Sequence, residues 1–271
     1  MDTQNKPIGI FDSGVGGLTV VAEVFRQLPD ENVVYFGDVG RTPYGPRSKD
    51  IILQFTRQDV AFLRDQDVKF IVAACNTAAA VAMETVASEL GIDMIGVIEP
   101  GARAAVETTK SGRVGIIGTV GTIASDAYPK AIQKMDDKIK VFSLACPLFV
   151  PLAEEGYQDR KATYMIAEDY LQSLRDVNID TLVLGCTHYP LLKKVIQTVI
   201  GESVTLIDSA TATAREVRQY LARNDLFRDN LKGTNSHKFY VSDVPDKFAT
   251  VALRFLGRRI DNVIRVDITK Y

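Results

Sequence analysis

Two cysteines stand in matching surroundings far apart in the chain. Cys75 closes the stretch FIVAAC and is followed by Asn76 and Thr77; Cys186 closes TLVLGC and is followed by Thr187 and His188. Each apolar run has the length and composition of a buried strand, and each polar pair after it suits the start of a helix. A thiol at that point lies near free backbone N–H groups and the positive end of a helix dipole, which favour the thiolate. Two such thiols on opposite faces of a carbon acid can remove a proton from one side and return one to the other, inverting the stereocentre. The α-proton of an amino acid is only weakly acidic, so its removal needs fixed donors to the α-carboxylate. Ser13, Asn76, Thr77 and Thr187 are candidates for that work.

Other chemistry-bearing residues carry weaker signals. His188, two positions after Cys186, is either a general-base partner for that thiol or a structural histidine. Glu154 and Glu155 follow an apolar segment and either line a cleft or open a solvated helix. Cys146 lacks the polar pair of the other two thiols and fits a small buried residue. His237 lies outside any motif. Lys69 precedes its strand instead of ending it, so no Schiff-base lysine with a phosphate cup points to pyridoxal phosphate, and no cofactor is expected. Three cysteines without a CxxC pair argue against a disulfide framework, and no metal site is expected.

The elements that must position these residues alternate. Strands are expected at 8–11, 33–37, 70–74, 93–98, 114–117, 141–145, the run before Cys186, 204–207, and near 238–242 and 262–266. Helices are expected at 18–28, 51–65, 78–90, 102–109, 123–132, 164–175, 192–200 and 210–224. Near-continuous apolar strands between helices indicate parallel sheets covered on both faces. After the first strand comes Asp12-Ser13-Gly14-Val15-Gly16-Gly17, a glycine-rich turn whose spacing departs from a dinucleotide fingerprint and whose Asp12 would repel phosphate. Asp12 and Ser13 suit an ammonium group and a carboxylate instead. The loop after Asp38 carries Arg41, Tyr44 and Gly45, and Tyr44 with neighbouring amides suits a second carboxylate, or else the loop is a proline-stiffened connection. The order of parts then repeats, with IGIFDSGVGG answered by VGIIGTVGT and Ser13 by Thr119. That is an internal duplication. The expected fold class is α/β: two similar lobes with largely parallel sheets, related by a pseudo-twofold, with the active site in the cleft between them. The first lobe is expected to take residues 1–97 and 208–271, the second 98–207; residues 225–236, polar and containing Gly233, read as loop.

Composition narrows the function. The chain has 271 residues, with 32 Lys+Arg against 34 Asp+Glu, a formal charge of −2, and no Trp. Such a balance supplies no broad cationic face for nucleic acid or anionic lipid. No signal-peptide order opens the chain and no apolar run approaches about 18 residues, so a cytoplasmic protein with no membrane role is expected.

At these residues the chain resembles the cofactor-independent glutamate racemases of bacterial cell-wall synthesis. The likeness runs through IFDSGVGGLTV (10–20), YFGDVGRTPYG (35–45), VAACNTAAA (72–80), GVIEPG (96–101), IGTVGTIAS (117–125) and LGCTHYPLL (184–192). It implies that Cys75 and Cys186 are the two acid/base residues acting on glutamate. It also implies substrate ammonium and carboxylate contacts from Asp12, Ser13, Asn76, Thr77, Thr119, Cys186 and Thr187, with Tyr44 and Gly45 near the side-chain carboxylate. Asp38, Glu154 and His188 would assist the thiols, Asp12 lying near Cys75 and His188 near Cys186. A homodimer that closes around its substrate is the further implication. Only seven residues precede the first strand, so control through an N-terminal extension, found in some relatives, is not expected. Three rivals remain at this level: an aspartate racemase with the same two thiols, a Cys186–His188–Glu154 hydrolase, and a non-catalytic amino-acid-binding module.

Overall fold

The computed structural model describes residues 3–229 and 236–271. Half of the expected 225–236 loop, residues 230–235, therefore lies outside the described residues. The chain begins with β1 (Ile8–Asp12), α1 (Leu18–Gln27), β2 (Val33–Gly37), α2 (Lys49–Asp65), β3 (Ile71–Ala73), α3 (Asn76–Val81), α4 (Met83–Leu90) and β4 (Met94–Gly96). It continues with α5 (Ile98–Thr108), β5 (Arg113–Gly118), α6 (Val120–Ala124), α7 (Ala127–Met135), β6 (Lys140–Ala145), α8 (Phe149–Glu154), α9 (Lys161–Asp176) and β7 (Thr181–Gly185). The last elements are α10 (Lys193–Ile200), β8 (Thr205–Asp208), α11 (Ser209–Arg223), β9 (Lys238–Val241), α12 (Pro245–Leu256) and β10 (Val263–Arg265).

Two parallel sheets result. One has the order β10-β9-β2-β1-β3-β4, the other β6-β5-β7-β8. The strands β2-β1-β3-β4 of the first sheet and β6-β5-β7-β8 of the second follow the same order relative to the chain, which is the duplication expressed as topology. β1, β2 and β7 are buried at every position, as strands covered on both faces must be. β6, at an edge, is only partly covered. Because every strand is parallel, the carboxyl ends of each sheet share one edge, and Asp12, Cys75, Gly118 and Gly185 all come to such edges.

Local chemistry moves several expected boundaries. The expected helix 78–90 is two helices, α3 starting at once after Cys75 and α4 after a break at Ala82 (φ −123°). The expected helix 123–132 is likewise α6 and α7, parted by Asp126 in the left-handed region, which Asp tolerates better than most residues. α5 starts four residues ahead of expectation because Pro100 falls in its first turn, where no backbone N–H is needed. α12 was not expected from the sequence, although Phe248, Ala252, Phe255 and Leu256 are buried at helical spacing behind Pro245.

Lys69 has a structural task. Its side chain is fully buried and its ammonium donates to Glu31 at 2.6 Å and to the carbonyls of Gln4 (3.1 Å) and Leu226 (2.8 Å). Three segments distant in sequence are tied there, and Glu31 also accepts the Arg228 amide at 3.0 Å. Removing one member of a buried ion pair costs more than the pair contributes, because the other charge stays desolvated. Lys69→Met should therefore lower the unfolding free energy by about 3–5 kcal/mol, measured by urea denaturation; a loss near zero would mean that Glu31 finds other partners or water.

Candidate active site

Cys75 is the residue before α3, in extended conformation, and its carbonyl already accepts the Ala79 amide at 2.8 Å. Cys186 follows the last residue of β7 and its carbonyl accepts the Tyr189 amide at 3.1 Å. Both thiols are 5% exposed. The two strand ends face each other across the sheets. Asp12, at the end of β1, accepts the Gly14 amide (3.0 Å) through one oxygen and the Thr187 hydroxyl (3.4 Å) through the other. Thr19 donates to the Thr187 carbonyl at 3.2 Å, and Tyr128 of α7 donates to Asn76 Oδ1 at 2.8 Å.

The glycine-rich turn is explained by this approach. A Cβ on Gly16 would sit 2.3 Å from Thr187 Oγ1 and 2.5 Å from His188 Nδ1, and one on Gly17 would sit 2.4 Å from Asp12 Cβ. Gly45 and Gly121 serve the same purpose on the other flank, where a Cβ on Gly121 would come within 2.7 Å of the Gly45 carbonyl and one on Gly45 within 2.9 Å of Thr119. Close backbone approach, more than anion cradling, requires these glycines.

Donors line the space between the lobes. The hydroxyls of Thr77 and Thr119 are 2.9 Å apart, and Thr122 lies 3.3 Å from the first and 3.0 Å from the second. Asn76 Nδ2 is buried with no partner among the described residues, a donor left over for something else. The Ser13 hydroxyl faces the Cys75 sulfur. On the Cys186 side, His188 Nδ1 lies 3.8 Å from Sγ and Nε2 lies 2.8 Å from Glu154 Oε1. Phe255 of α12 meets the imidazole edge-on at 5.3 Å, and Arg254 donates to the Glu154 carbonyl. Glu154 closes α8, so the helix reading of 154–155 is correct only for its end, not its start.

Asp38 and Tyr44 belong to a buried cluster. The Tyr44 hydroxyl is 2.5 Å from Asp38 Oδ2 and 2.8 Å from Asp59 Oδ2, so it is engaged by two carboxyl groups of the protein itself. The part of Tyr44 and Gly45 left to face a ligand is backbone. Asp59, Thr122, Tyr128, Arg254 and Phe255 were not singled out from the sequence. Asp59 alone carried a signal, a charge on the buried face of α2 beside Ile52, Thr56, Val60 and Leu63. Cys146 is buried in the second lobe near Cys186, its carbonyl accepting the Tyr189 hydroxyl at 2.8 Å, and burial raises its thiol. His237 packs on Phe25 at 4.2 Å, and burial with Arg258 and Arg228 nearby lowers its imidazolium to about 4.

Electrostatics distinguish the two thiol sites. Burial, and then the Asp12 carboxylate, push Cys75 up to about 12, outweighing the amide and Ser13 contacts that favour its thiolate. The helix start therefore does not lower this thiol in the closed site. Burial also raises Asp12. At His188 burial alone would disfavour the cation, but Cys186 and Glu154 reverse this and raise it from 6.5 to about 10. Among the described residues no group of three or more His, Cys, Asp and Glu side chains is placed to hold a metal ion, and no helix is long and apolar enough to cross a membrane. A cavity of about 650 Å³ lies away from the thiols among Met83, Glu99, Arg103, Lys130 and Tyr220, and one of about 170 Å³ touches Gly14, Thr42 and Glu154. Neither includes a thiol, and Cys75 and Cys186 are both buried.

A raised His188 binds its proton more tightly in the fold than in the unfolded chain. That stabilisation is complete below pH 6.5 and is lost as pH climbs toward about 10; Cys75, favoured as thiol up to about 12, adds a loss of the same sign above pH 9. Unfolding free energy measured by urea should fall between pH 6.5 and 10, and the fall in that window should be smaller in Glu154→Gln. An unchanged slope in that variant would disprove the His188–Glu154 coupling.

Known proteins resemble the chain along nearly its whole length. A family model described as Asp/Glu/Hydantoin racemase matches residues 22–217. A glutamate racemase of Geobacter metallireducens is 51% identical over 263 residues, 97% of each chain. The crystal structure of glutamate racemase isoform RacE1 from Bacillus anthracis is similar with a TM-score of 0.93 at 44% identity, covering 97% of this chain and 98% of that one. That of the Francisella tularensis enzyme in complex with D-glutamate gives a TM-score of 0.93 at 38% identity, covering 99% and 100%. With likeness of this strength along nearly its whole length, the chain belongs to the Asp/Glu/hydantoin racemase family.

Proposed function

We propose that this protein is a glutamate racemase that interconverts L- and D-glutamate by two-thiol proton transfer without a cofactor. The observation that carries the reading is the equivalent placement of Cys75 after β3 and Cys186 after β7, each beside the central strand of its sheet, with the two carboxyl edges facing one another. In one direction Cys186 as thiolate takes the α-proton and the Cys75 thiol supplies one to the opposite face; exchanging their protonation states runs the reverse reaction. His188, held by Glu154, shuttles the proton at Cys186, and Asp12 serves at Cys75. A substrate ammonium beside Asp12 would also offset the charge that disfavours the Cys75 thiolate. Asn76 Nδ2, the Thr77 and Thr119 hydroxyls, Ser13 and Thr187 receive the α-carboxylate, where charge grows as the proton leaves. The amides of Tyr44 and Gly45 receive the side-chain carboxylate, and Asp38 orders that loop.

Thiols this buried admit substrate only when the lobes part. We divide the chain into residues 1–97 with 208–271 and residues 98–207, related by a pseudo-twofold, with the hinge at the crossings between them. A cytoplasmic homodimer supplying D-glutamate for peptidoglycan is the setting we assign. The glutamate named in relatives of this identity favours that substrate over aspartate. A second reading has one specific support, since Cys186, His188 and Glu154 are in line as in a cysteine hydrolase; it leaves Cys75 and its matching surroundings without a role.

Chelator-treated protein given L-glutamate in D₂O should form D-glutamate carrying deuterium at Cα. Cys75→Ala and Cys186→Ala should each lower that rate by at least about 100–10,000-fold, the range for losing a positioned acid or base, with the far-UV spectrum preserved. Racemisation at the parental rate in either variant would refute the two-base assignment. Exchange with aspartate alone would change the substrate, and ammonia from glutamine without exchange would favour the hydrolase.

A further inference from the structure

Asp59 lies on α2, outside every motif that carries the racemase likeness, yet it is wholly buried against the loop that bears Tyr44 and Gly45. Its Oδ1 accepts from Arg41 at 3.0 Å and its Oδ2 lies 2.8 Å from the Tyr44 hydroxyl. Arg41 also donates to Asp38 Oδ2 at 2.7 Å and to Gln58, and its guanidinium rests 4.1 Å over the Phe55 ring. The cluster thus holds two carboxyl groups, one guanidinium and one phenol, with both aspartates fully buried.

Counting protons decides its state. The Tyr44 hydroxyl has one hydrogen but stands at hydrogen-bond distance from two carboxyl oxygens. With both aspartates ionised, one contact would set lone pairs against each other and a net negative charge would be buried. One added proton removes both penalties. On Asp38 it would sit either at Oδ1, which has no partner among the described residues, or at Oδ2, where it would turn the oxygen that accepts from Arg41 at 2.7 Å into a hydroxyl, a poorer acceptor for a guanidinium. On Asp59 Oδ2 it completes a directed chain, Asp59 to Tyr44 to Asp38, balanced by Arg41. Burial and Asp38, followed by the more distant Asp12, favour the same neutral Asp59, against Arg41 and Tyr44.

We propose that Asp59 is a positioning residue for the racemisation, a neutral carboxylic acid that donates to the Tyr44 hydroxyl and through it holds Asp38 and the 39–48 loop against the second lobe. The assignment of a role in turnover rests on the racemase reading; the protonation state does not. The loop's place matters because the Gly45 backbone packs directly on Thr119 and Gly121. A shift there moves the amides that receive the distal carboxylate and weakens ground-state and transition-state binding alike.

Steady-state kinetics on three variants test it. Asp59→Ala should raise KM for L-glutamate by about tenfold or more with kcat within about threefold, the pattern of lost uniform binding. Asp59→Asn, whose amide can donate to Tyr44 and accept from Arg41, should stay within about threefold of the parent in both constants. A parental KM in Asp59→Ala, or an Asp59→Asn as impaired as Asp59→Ala, overturns the proposal. Should Asp59→Ala not fold, Tyr44→Phe removes the bridging hydroxyl without a cavity and must show the same rise in KM; a parental KM there also overturns it. Infrared difference spectra of parent minus Asp59→Asn at neutral pH should contain the carbonyl band of a protonated carboxyl group. Absence of that band overturns the proposal even in an active racemase, while a band in a protein that does not exchange the glutamate α-proton refutes the racemase reading and with it the positioning role.

Discussion

The close approach of two parallel-sheet edges is the constraint on which the molecule depends. A parallel sheet collects the carboxyl ends of its strands on one edge, and each of those ends releases a short polar segment before the next helix. Here two such edges meet with almost no space between them. Asp12 reaches Thr187, Thr19 reaches the Thr187 carbonyl, and Tyr128 reaches Asn76. Glycine is required at positions 16, 45 and 121 because any Cβ would enter the opposite lobe. The same closeness buries both thiols and removes the water that would compete for an exchanged proton.

Burial sets the electrostatic character of the site. Desolvation favours neutral Asp12 and a protonated Cys75, whereas His188, equally enclosed, is kept cationic by Cys186 and Glu154. Charge is therefore placed where partners exist and withheld where they do not. The unpartnered Asn76 Nδ2, at the start of α3, is consistent with a site whose polar groups are completed by a bound carboxylate. Around this centre the supports are positioned by other elements: Glu154 by α8, Phe255 and Arg254 by α12, and Tyr44 by α2 through Asp59.

Much of this was legible in the residues. Apolar runs before Cys75 and Cys186, and the repeat of strand and glycine turn at Gly9 and Gly115, predicted two α/β halves, and both halves have the same strand order. Errors fell where local propensity was ambiguous. The alanine-rich stretch after Cys75 reads as one helix but breaks at Ala82, and Glu99-Pro100, left between the expected strand 93–98 and helix 102–109, lies inside the first turn of α5. α12 was overlooked, although its buried residues recur at helical spacing.

What the sequence by itself determined was chemistry and periodicity: which side chains can transfer protons or donate hydrogen bonds, and that each thiol follows a buried parallel strand. Such features are local, because strand burial and residue type are written within a few positions. Tertiary structure alone decided the partnerships: that Tyr44 is shared by Asp38 and Asp59, that Gly16 must yield to Thr187, and that burial raises Cys75 although a helix begins beside it. These depend on distances between segments separated by up to 175 positions, as from Asp12 to Thr187, and on the exclusion of water when the segments meet. Neither quantity has a local signature in the chain.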